Sequence, residues 1–189
     1  MTAVAAPLGL SPVYHPSGLE RPMQYQIASG YATSIFKGDP VLLATATGTI
    51  TVGAAAVPLL GVFIGVEYID ITGKPTFANF YPASQAIQSG TLINAYVITD
   101  LETVYEIQSI GSLAQVAIGK EFDVVIGTGN VNTGLSSTAL NTVAATTGTQ
   151  KQFRVVDFGR GPENAAGDAF TVVRVTLANS QMRAPTTSI

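Results

Sequence analysis

The chain has 189 residues, enough for one sizeable hydrophobic core, and a formal net charge of −3. Charged residues make up 11% of it, whereas an ordinary soluble domain carries about 25%. The nine scattered basic residues exclude the dense cationic surface that nucleic acids require, and the absence of cysteine excludes disulfides, thiolate catalysis and cysteine-based zinc sites.

This low charge density predicts a molecule whose surface is partly covered by neighbouring subunits, because a weakly charged surface is poorly protected against self-association. The alternative is that Thr, Ser, Asn, Gln and Gly solvate the surface without charge. The longest apolar run, residues 54–66, is interrupted by proline and glycine and is shorter than the about 20 residues that span a bilayer. We therefore expect a soluble protein with no membrane partner.

Residues 1–23 are predicted to form an extended N-terminal arm. Four prolines in this segment suit neither a helix nor the interior of a sheet, yet it also contains apolar residues that a disordered tail would normally lack. An arm that docks on a partner explains both features, and a floppy terminus is the alternative. The candidate interface residues of the arm are Tyr14, His15, Leu19 and Arg21.

Beyond the arm, runs of β-branched and aromatic residues alternate with turn sequences. Strands are predicted within residues 24–35, 41–44, 49–52, 59–71, 76–81, 92–99, 103–110, 122–126, 153–158 and 170–177. Residues 92–99 and 103–110 are predicted to form a hairpin, residues 112–118 a short helix, and residues 127–149 a low-complexity segment. The chain is thus predicted to be all-β, with a β-barrel or β-sandwich body over residues 24–179 and a C-terminal tail over residues 180–189.

The residue types of common catalytic and ligand sites are present only in weak arrangements. A Ser–His–Asp triad that uses the single histidine, His15, with Asp39 is less favoured than an interface role for His15. Asn130 and Asn132 lack the carboxylates of a calcium loop. Residues 124–129 lack the third glycine and the helix of a dinucleotide-binding turn.

Two carboxylate pairs, Glu102 with Glu106 and Glu121 with Asp123, have the residue types of a glycoside hydrolase. Carboxylates two apart on a strand more often mark a solvated edge, so we interpret them as edge charges. Seven tyrosines leave a carbohydrate-binding surface as a further alternative, although tyrosine at strand positions is usually half-buried. We predict a protein that is not an enzyme and that holds no metal or cofactor.

Several segments resemble the decoration or cement proteins that fasten onto the heads of tailed bacteriophages. The resemblance rests on residues 30–41 (GYATSIFKGDPV), 47–52 (TGTITV) and 60–66 (LGVFIGV), with shorter likenesses at residues 134–137 and 173–179. These segments are short and consist of common β residues. The Thr-rich residues 127–149 have no obvious counterpart in that family.

The resemblance implies a structural protein of the virion, made in the host cytoplasm and placed on the capsid exterior. It further implies a β-barrel, a homotrimer, the major capsid protein as partner, and no catalytic residues. The alternatives are a subunit of the tail, neck or fibre base, and a carbohydrate-binding surface module. A glycan array would distinguish the last of these, because a cement protein should show no specific glycan binding.

Overall fold

The computed structural model describes residues 4–146 and 149–183. Strands account for 42% of the chain and helix for 2%, so the predicted all-β fold is confirmed. The described residues form these strands: β1 (Ser11–Tyr14), β2 (Met23–Ile27), β3 (Ile35–Phe36), β4 (Pro40–Leu43), β5 (Ile50–Val52), β6 (Gly61–Ile69), β7 (Pro75–Ala78), β8 (Phe80–Tyr81), β9 (Ile93–Ile98), β10 (Val104–Gln108), β11 (Glu121–Val125), β12 (Ala139–Ala144), β13 (Phe153–Phe158) and β14 (Val172–Leu177). A 3-10 turn spans Gln115–Ala117, and no helix within residues 4–146 and 149–183 is long and apolar enough to cross a membrane.

Strands β2, β4, β5, β6 and β9 close into a five-stranded barrel. They pair in the order β4-β5-β2-β9-β6, and β6 returns to β4 through the pairs Pro40–Val62 and Val41–Gly61. The core of this first barrel consists of inward-facing aliphatic and aromatic side chains from alternate strand positions. They include Ile27, Val41, Ile50, Phe63, Val66, Tyr68, Ile93, Ala95 and Val97. β7 extends the sheet beyond β6, and β3 pairs with β8 alongside.

The second half of the chain, together with β1 from the N-terminal arm, forms a second curved sheet around a second core. Its strands pair in the order β1-β10-β14-β13-β11-β12. The sheet curls until β12 meets the end of β10, where the amide of Ile110 donates to the carbonyl oxygen of Leu140 at 2.9 Å beside the parallel bridge Ser109–Leu140. The second core includes Tyr105, Ile107, Phe122, Val124, Leu140, Phe153, Val155, Val173 and Val175.

The two halves repeat one topology. In each, the first strand (β2 or β10) runs parallel to the third (β5 or β12) and antiparallel to the fifth (β9 or β14). The second strand (β4 or β11) pairs with the third and the fourth, and the fourth (β6 or β13) pairs with the fifth. The body predicted for residues 24–179 therefore contains two barrel-like units of the same design.

Matched hydrogen bonds support this repeat at the level of single residues. Gly38 and Gly119 each lie two residues before the second strand of their unit and have φ angles of 89° and 84°. Gly38 donates to Phe63 O at 2.9 Å, and Gly119 donates to Val155 O at 2.8 Å. In return, Phe63 donates to Asp39 O at 2.9 Å and Val155 to Lys120 O at 3.0 Å. Glycine suits both positions because positive φ is strained for other residues.

The two units differ mainly in their insertions, and those insertions contact each other. The first unit carries β7 and β8 between its fourth and fifth strands, and the second has a long connection, residues 126–138, between β11 and β12. Asn79 Nδ2, beside β8, donates to Thr133 O in that connection at 2.9 Å. The parallel bridge Lys37–Leu135 joins the same connection to the segment between β3 and β4. The elements that break the repeat thus hold the two units together.

Three expectations about local structure need correction. The predicted hairpin of residues 92–99 and 103–110 is wrong, because β9 belongs to the first barrel and β10 to the second, so the intervening turn is the crossover between them. The predicted short helix is reduced to the 3-10 turn Gln115–Ala117. The low-complexity segment contains the strand β12, whose first two residues, Ala139 and Leu140, are buried.

Candidate interaction surface

The N-terminal arm lies along its own second barrel. β1 pairs antiparallel with β10 through Ser11–Glu106, Pro12–Tyr105 and Tyr14–Val104. Proline is compatible with this position because β1 is an edge strand with a bulge between Pro12 and Tyr14. The arm is therefore an extended segment, as predicted, but the described part of it is joined to the body by a β-ladder.

Leu10 anchors the arm in the core. Its side chain is 1% exposed and packs in the second core, and its amide donates to Gly38 O at 2.9 Å. Further out, the amide of Ala6 donates to Gln108 Oε1 at 2.7 Å, and Gln108 Nε2 donates to Val4 O at 3.1 Å. These contacts fix the path of the chain from residue 4 to β1, so the side chains that face outward there are held in place.

His15 holds the other end of β1 against the body. The amide of Ser17 donates to Nδ1 of His15 at 3.1 Å, so that nitrogen carries no proton and Nε2 donates to Asp100 Oδ2 at 3.0 Å. The Glu102 amide at 2.9 Å and this His15 contact lower the pKa of Asp100, which keeps the carboxylate ionised. The His15 side chain is 9% exposed and is thus an anchor of the arm rather than a free contact residue.

The same residues form a Ser–His–Asp array, which the sequence did not predict with these partners. Ser17 Oγ lies 2.7 Å from His15 Nδ1, and the acid is Asp100 rather than Asp39. An acyl-transfer site also needs N–H donors aimed at an oxyanion, but the Ser17 amide is already bonded to His15. Ser17 lies in an exposed turn, and none of the four main cavities is lined by these three side chains. The three side chains therefore hold the end of β1 against the body of the protein.

The other three candidate interface residues, Tyr14, Leu19 and Arg21, are exposed. Tyr14 is 58% and Leu19 is 51% exposed, large fractions for side chains of this size. None of the four ion pairs within residues 4–146 and 149–183 involves Arg21. These three side chains therefore present two apolar groups and one cation to the outside.

Exposed apolar side chains are concentrated in and just after the arm. Seventeen large apolar side chains are exposed in the described parts of the chain, and six of them fall within residues 4–23. The six are Val4, Leu8, Val13, Tyr14, Leu19 and Met23. We call this set the arm surface. A concentration of this kind is typical of a contact surface, whereas singly scattered apolar residues are normal on any protein.

Asp39 lies at the junction of the two units and is 2% exposed. Its Oδ2 accepts from the amide of Phe36 at 2.8 Å, and its Oδ1 accepts from Ser136 Oγ at 2.5 Å and Thr138 Oγ1 at 3.2 Å. Burial raises the pKa of this carboxyl, and the three hydrogen bonds oppose that rise. Both carboxylate oxygens already accept hydrogen bonds, so Asp39 stabilises the junction of the two units.

A cavity of about 360 Å³ opens beside this junction. Its walls are largely apolar and come from both units, with Phe36 and Val52 on one side and Ile126, Gly129 and Val131 on the other. Asp39 also borders the cavity, but its oxygens already accept hydrogen bonds. The cavity therefore offers mainly shape and apolar contact.

Three of the four paired carboxylates, Glu106, Glu121 and Asp123, lie in ion pairs, and their interpretation as solvated edge charges is wrong for β11, which is an inner strand. Glu121 Oε1 accepts from Arg154 at 2.7 Å, and Asp123 Oδ2 lies 3.1 Å from Lys151 Nζ. Glu106 on β10 similarly pairs with Arg174 at 2.9 Å. In the part of the chain that the structure describes, no group of three or more His, Cys, Asp or Glu side chains is placed to hold a metal ion.

Comparison of the chain with protein-family models, with curated proteins and with solved structures gave no match.

Proposed function

We propose that the chain is a structural virion protein that binds the outer surface of a tailed-phage capsid and joins neighbouring major capsid subunits. The observation that carries the proposal is the arm surface, six exposed apolar side chains on a segment fixed to the body. The proposal also includes the homotrimer and the capsid-exterior location implied by the resemblance of residues 30–41, 47–52 and 60–66 to cement proteins.

The anchoring of the arm favours a binding role for its outer face. Leu10 is buried and His15 is bonded to Asp100, so the backbone between them is already ordered before any partner arrives. A pre-ordered segment loses less conformational entropy on binding than a free tail does, which leaves more of the contact energy as affinity. Val13 and Tyr14, which lie between the two anchors, are exposed in this ordered segment.

The sparse charge of the arm surface suits contact with another protein. Within residues 4–23, the ionisable side chains with a full charge at neutral pH are Glu20 and Arg21. Desolvating a charge is costly, so a contact dominated by apolar and hydroxyl groups is inexpensive to bury. A stable contact buries about 1,200–2,000 Å² in total, so the proposal requires the neighbouring barrel surface to contribute beside the arm surface.

The test compares two triple variants for binding to purified heads of the parent phage that lack this chain. Leu8→Ser, Tyr14→Ser and Leu19→Ser together remove apolar contacts from the arm surface. The control, Val116→Ser, Val143→Ser and Val156→Ser, removes three exposed apolar side chains from the second barrel outside the arm. All six side chains are exposed, so both variants should fold, which thermal unfolding checks.

We expect the arm variant to lose at least tenfold in head binding and the control to bind as the wild type does. Equal binding by the two variants would contradict the role of the arm surface. Failure of the wild-type chain itself to bind the heads would contradict the capsid proposal as a whole. Deleting residues 1–22 is a poor test, because it would remove the buried Leu10 and the whole of β1.

A further inference from the structure

The edge of β2 is open over most of its length. β2 pairs with β9 from Met23 to Ile27 on one side, but with β5 only at Ile27 on the other. No further hydrogen bond within residues 4–146 and 149–183 involves residues 23–26. Met23 pairs with the buried Val97 and so faces the same side of the sheet, yet it is 54% exposed. A backbone edge and an apolar side chain are thus both uncovered.

The second barrel shows what covers the equivalent edge. Phe63 and Val155 occupy matched positions in the two barrels. In the first barrel Phe63 pairs with Val97, and Val97 pairs with Met23. In the second barrel Val155 pairs with Val175, and Val175 pairs with Tyr105. Met23 in the first barrel therefore corresponds to Tyr105 in the second. Tyr105 is 1% exposed, and Pro12 of β1 pairs directly with it. In the second barrel a strand covers the edge, and in the first barrel the equivalent place has no strand from the described residues.

The β2 edge lacks the features by which proteins prevent strand addition. Natural edges are protected by proline, lysine or bulges, and the edge strand β1 has both Pro12 and a bulge. The sequence of β2, MQYQI, has no charge and no proline, and its ladder with β9 is regular. An unprotected edge of this kind is a template for pairing with another strand.

The chain carries a suitable strand in β7, the opposite edge of the same sheet. β7 is four residues long, PTFA, without charge, and its Phe77 is 71% exposed. Its Pro75 lacks an N–H but stands at the first position of the strand, where proline is compatible with strand pairing. β7 runs antiparallel to β6, β6 to β9 and β9 to β2, so β7 is antiparallel to β2. Rotation of a second copy about an axis along the strands keeps this direction, which places its β7 antiparallel beside β2.

We propose that β7 of one copy pairs with the open edge of β2 in the next copy, which makes the sheet continuous between subunits. A contact between two different surfaces of the same chain closes into a ring when the rotation permits. It covers Met23 in one copy and contributes Phe77 from the other. This inference deepens the proposed function and takes its expected number of copies from the homotrimer of that proposal, but it concerns the contact between copies and is tested without a capsid.

The first test is the mass of the purified chain in light scattering. Met23→Lys places an ammonium group where an added strand would bury it, and exposed Met23 tolerates the change in a free subunit. Met182→Lys is the matched control, since Met182 is 58% exposed and lies outside β2 and β7. We expect the wild type and the control to have a mass of about three times 19.5 kDa and Met23→Lys to have the monomer mass.

A monomeric wild-type chain, or a Met23→Lys chain that keeps the oligomer mass, would overturn the inference. These outcomes are distinct from failure of the capsid proposal, since no particle is present in the sample. Thermal unfolding of Met23→Lys checks that loss of the oligomer is not loss of the fold.

The second test uses engineered cysteines, which are unambiguous because the chain has none. Gln24→Cys and Phe77→Cys are placed on separate, co-expressed copies, one with a size tag, and treated with a short bis-maleimide. We expect a cross-linked species that contains one copy of each, and no cross-link when Val143→Cys replaces Phe77→Cys. Cross-linking of Gln24→Cys copies to each other would show a symmetric β2–β2 contact, and no cross-link above the control would show no contact; either result overturns the proposal.

Discussion

Asp39 is the residue at which the two barrels and the arm meet. Its carboxylate accepts from Phe36 in the first unit and from Ser136 and Thr138 in the long connection of the second. The carbonyl oxygen of the preceding residue, Gly38, accepts a hydrogen bond from the amide of Leu10 in the arm. The sequence Gly-Asp-Pro at residues 38–40 favours a turn, and the structure adds that its aspartate is buried.

Replacing Asp39 tests its role in stability. Asp39→Ala leaves an amide and two hydroxyl groups without their acceptor, so we expect a loss of about 2–4 kcal/mol in the free energy of unfolding. Asp39→Asn keeps an acceptor for Phe36, and the hydroxyl groups of Ser136 and Thr138 can rotate to donate or accept. Its loss should be about 1 kcal/mol or less. Urea unfolding measures both, and equal losses would contradict the hydrogen-bond account.

The pH dependence of these variants follows from the raised pKa of Asp39. An unfolded chain ionises this carboxyl near its ordinary value of 3.8, whereas the folded chain holds the proton to higher pH. Folding therefore takes up protons in that interval, and the wild-type free energy of unfolding falls as pH rises through it. Relative to wild type, Asp39→Asn should gain stability from pH 3.8 up to the raised pKa and stay constant above it. A difference that does not change over that range would contradict the pKa shift.

At the scale of elements, the arm is part of the core as well as of the surface. Leu10→Ala should lower the free energy of unfolding by about 2–5 kcal/mol, because the side chain is fully buried. Leu8→Ala, two residues earlier and 61% exposed, should change it by less than about 0.5 kcal/mol. Equal effects in urea unfolding would show that the arm is not docked as described.

The matched glycines give a second comparison between elements. Gly38→Ala and Gly119→Ala carry the same backbone strain, about 1–2 kcal/mol, because their φ angles are 89° and 84°. A Cβ at Gly119 meets nothing within 4 Å, whereas one at Gly38 would lie 3.1 Å from Leu8 O and 3.2 Å from Leu10 N. We expect Gly38→Ala to be the more destabilising in thermal unfolding, and the opposite order would contradict the contact with the arm.

Elements with strong alternation could be predicted from the sequence, and those that depend on distant partners could not. β13 has the predicted bounds because buried Phe153 and Val155 alternate with exposed residues. β1 was missed because proline argues against a strand, and only its edge position next to β10 makes Pro12 acceptable. β12 was missed because its residues resemble the Thr- and Ala-rich sequence around them.

The interface role of the four arm residues stays a prediction, and the sequence did not indicate the contacts that His15 makes within the chain. Tyr14, Leu19 and Arg21 are exposed, whereas His15 is bonded to Asp100, which is 85 residues away in the sequence. That partnership depends on how β1 lies on β10, which no local pattern indicates. The repeat was also missed, because it lies in strand order and backbone hydrogen bonds rather than in matching residue types.

At the scale of the whole molecule, the two barrels should unfold together. Gln152, which is fully buried, donates through Nε2 to Ala54 O at 2.6 Å and Val57 O at 2.9 Å and accepts from the amide of Val124 at 3.0 Å. Gln152, Asp39 and Leu10 thus connect the two units through contacts at three separate positions. Calorimetry should show one transition with equal calorimetric and van't Hoff enthalpies. Two resolved transitions would contradict a single cooperative unit.

The surface as a whole is short of charge. Its area of 9766 Å² is shared by 21 charged side chains, or about 465 Å² for each. Together with seventeen exposed large apolar side chains in the described parts of the chain, this favours a molecule that works with neighbours. The arm surface and the open β2 edge, which share Met23, are the two regions to which such neighbours can be assigned.

A cryo-electron microscopy map of the parent phage particle tests the proposed function most directly. We predict density for this chain on the outside of the head, with residues 4–23 facing the major capsid protein and with contacts to more than one capsid subunit. A particle whose head lacks this density, or one in which residues 4–23 face the solvent, would contradict the account.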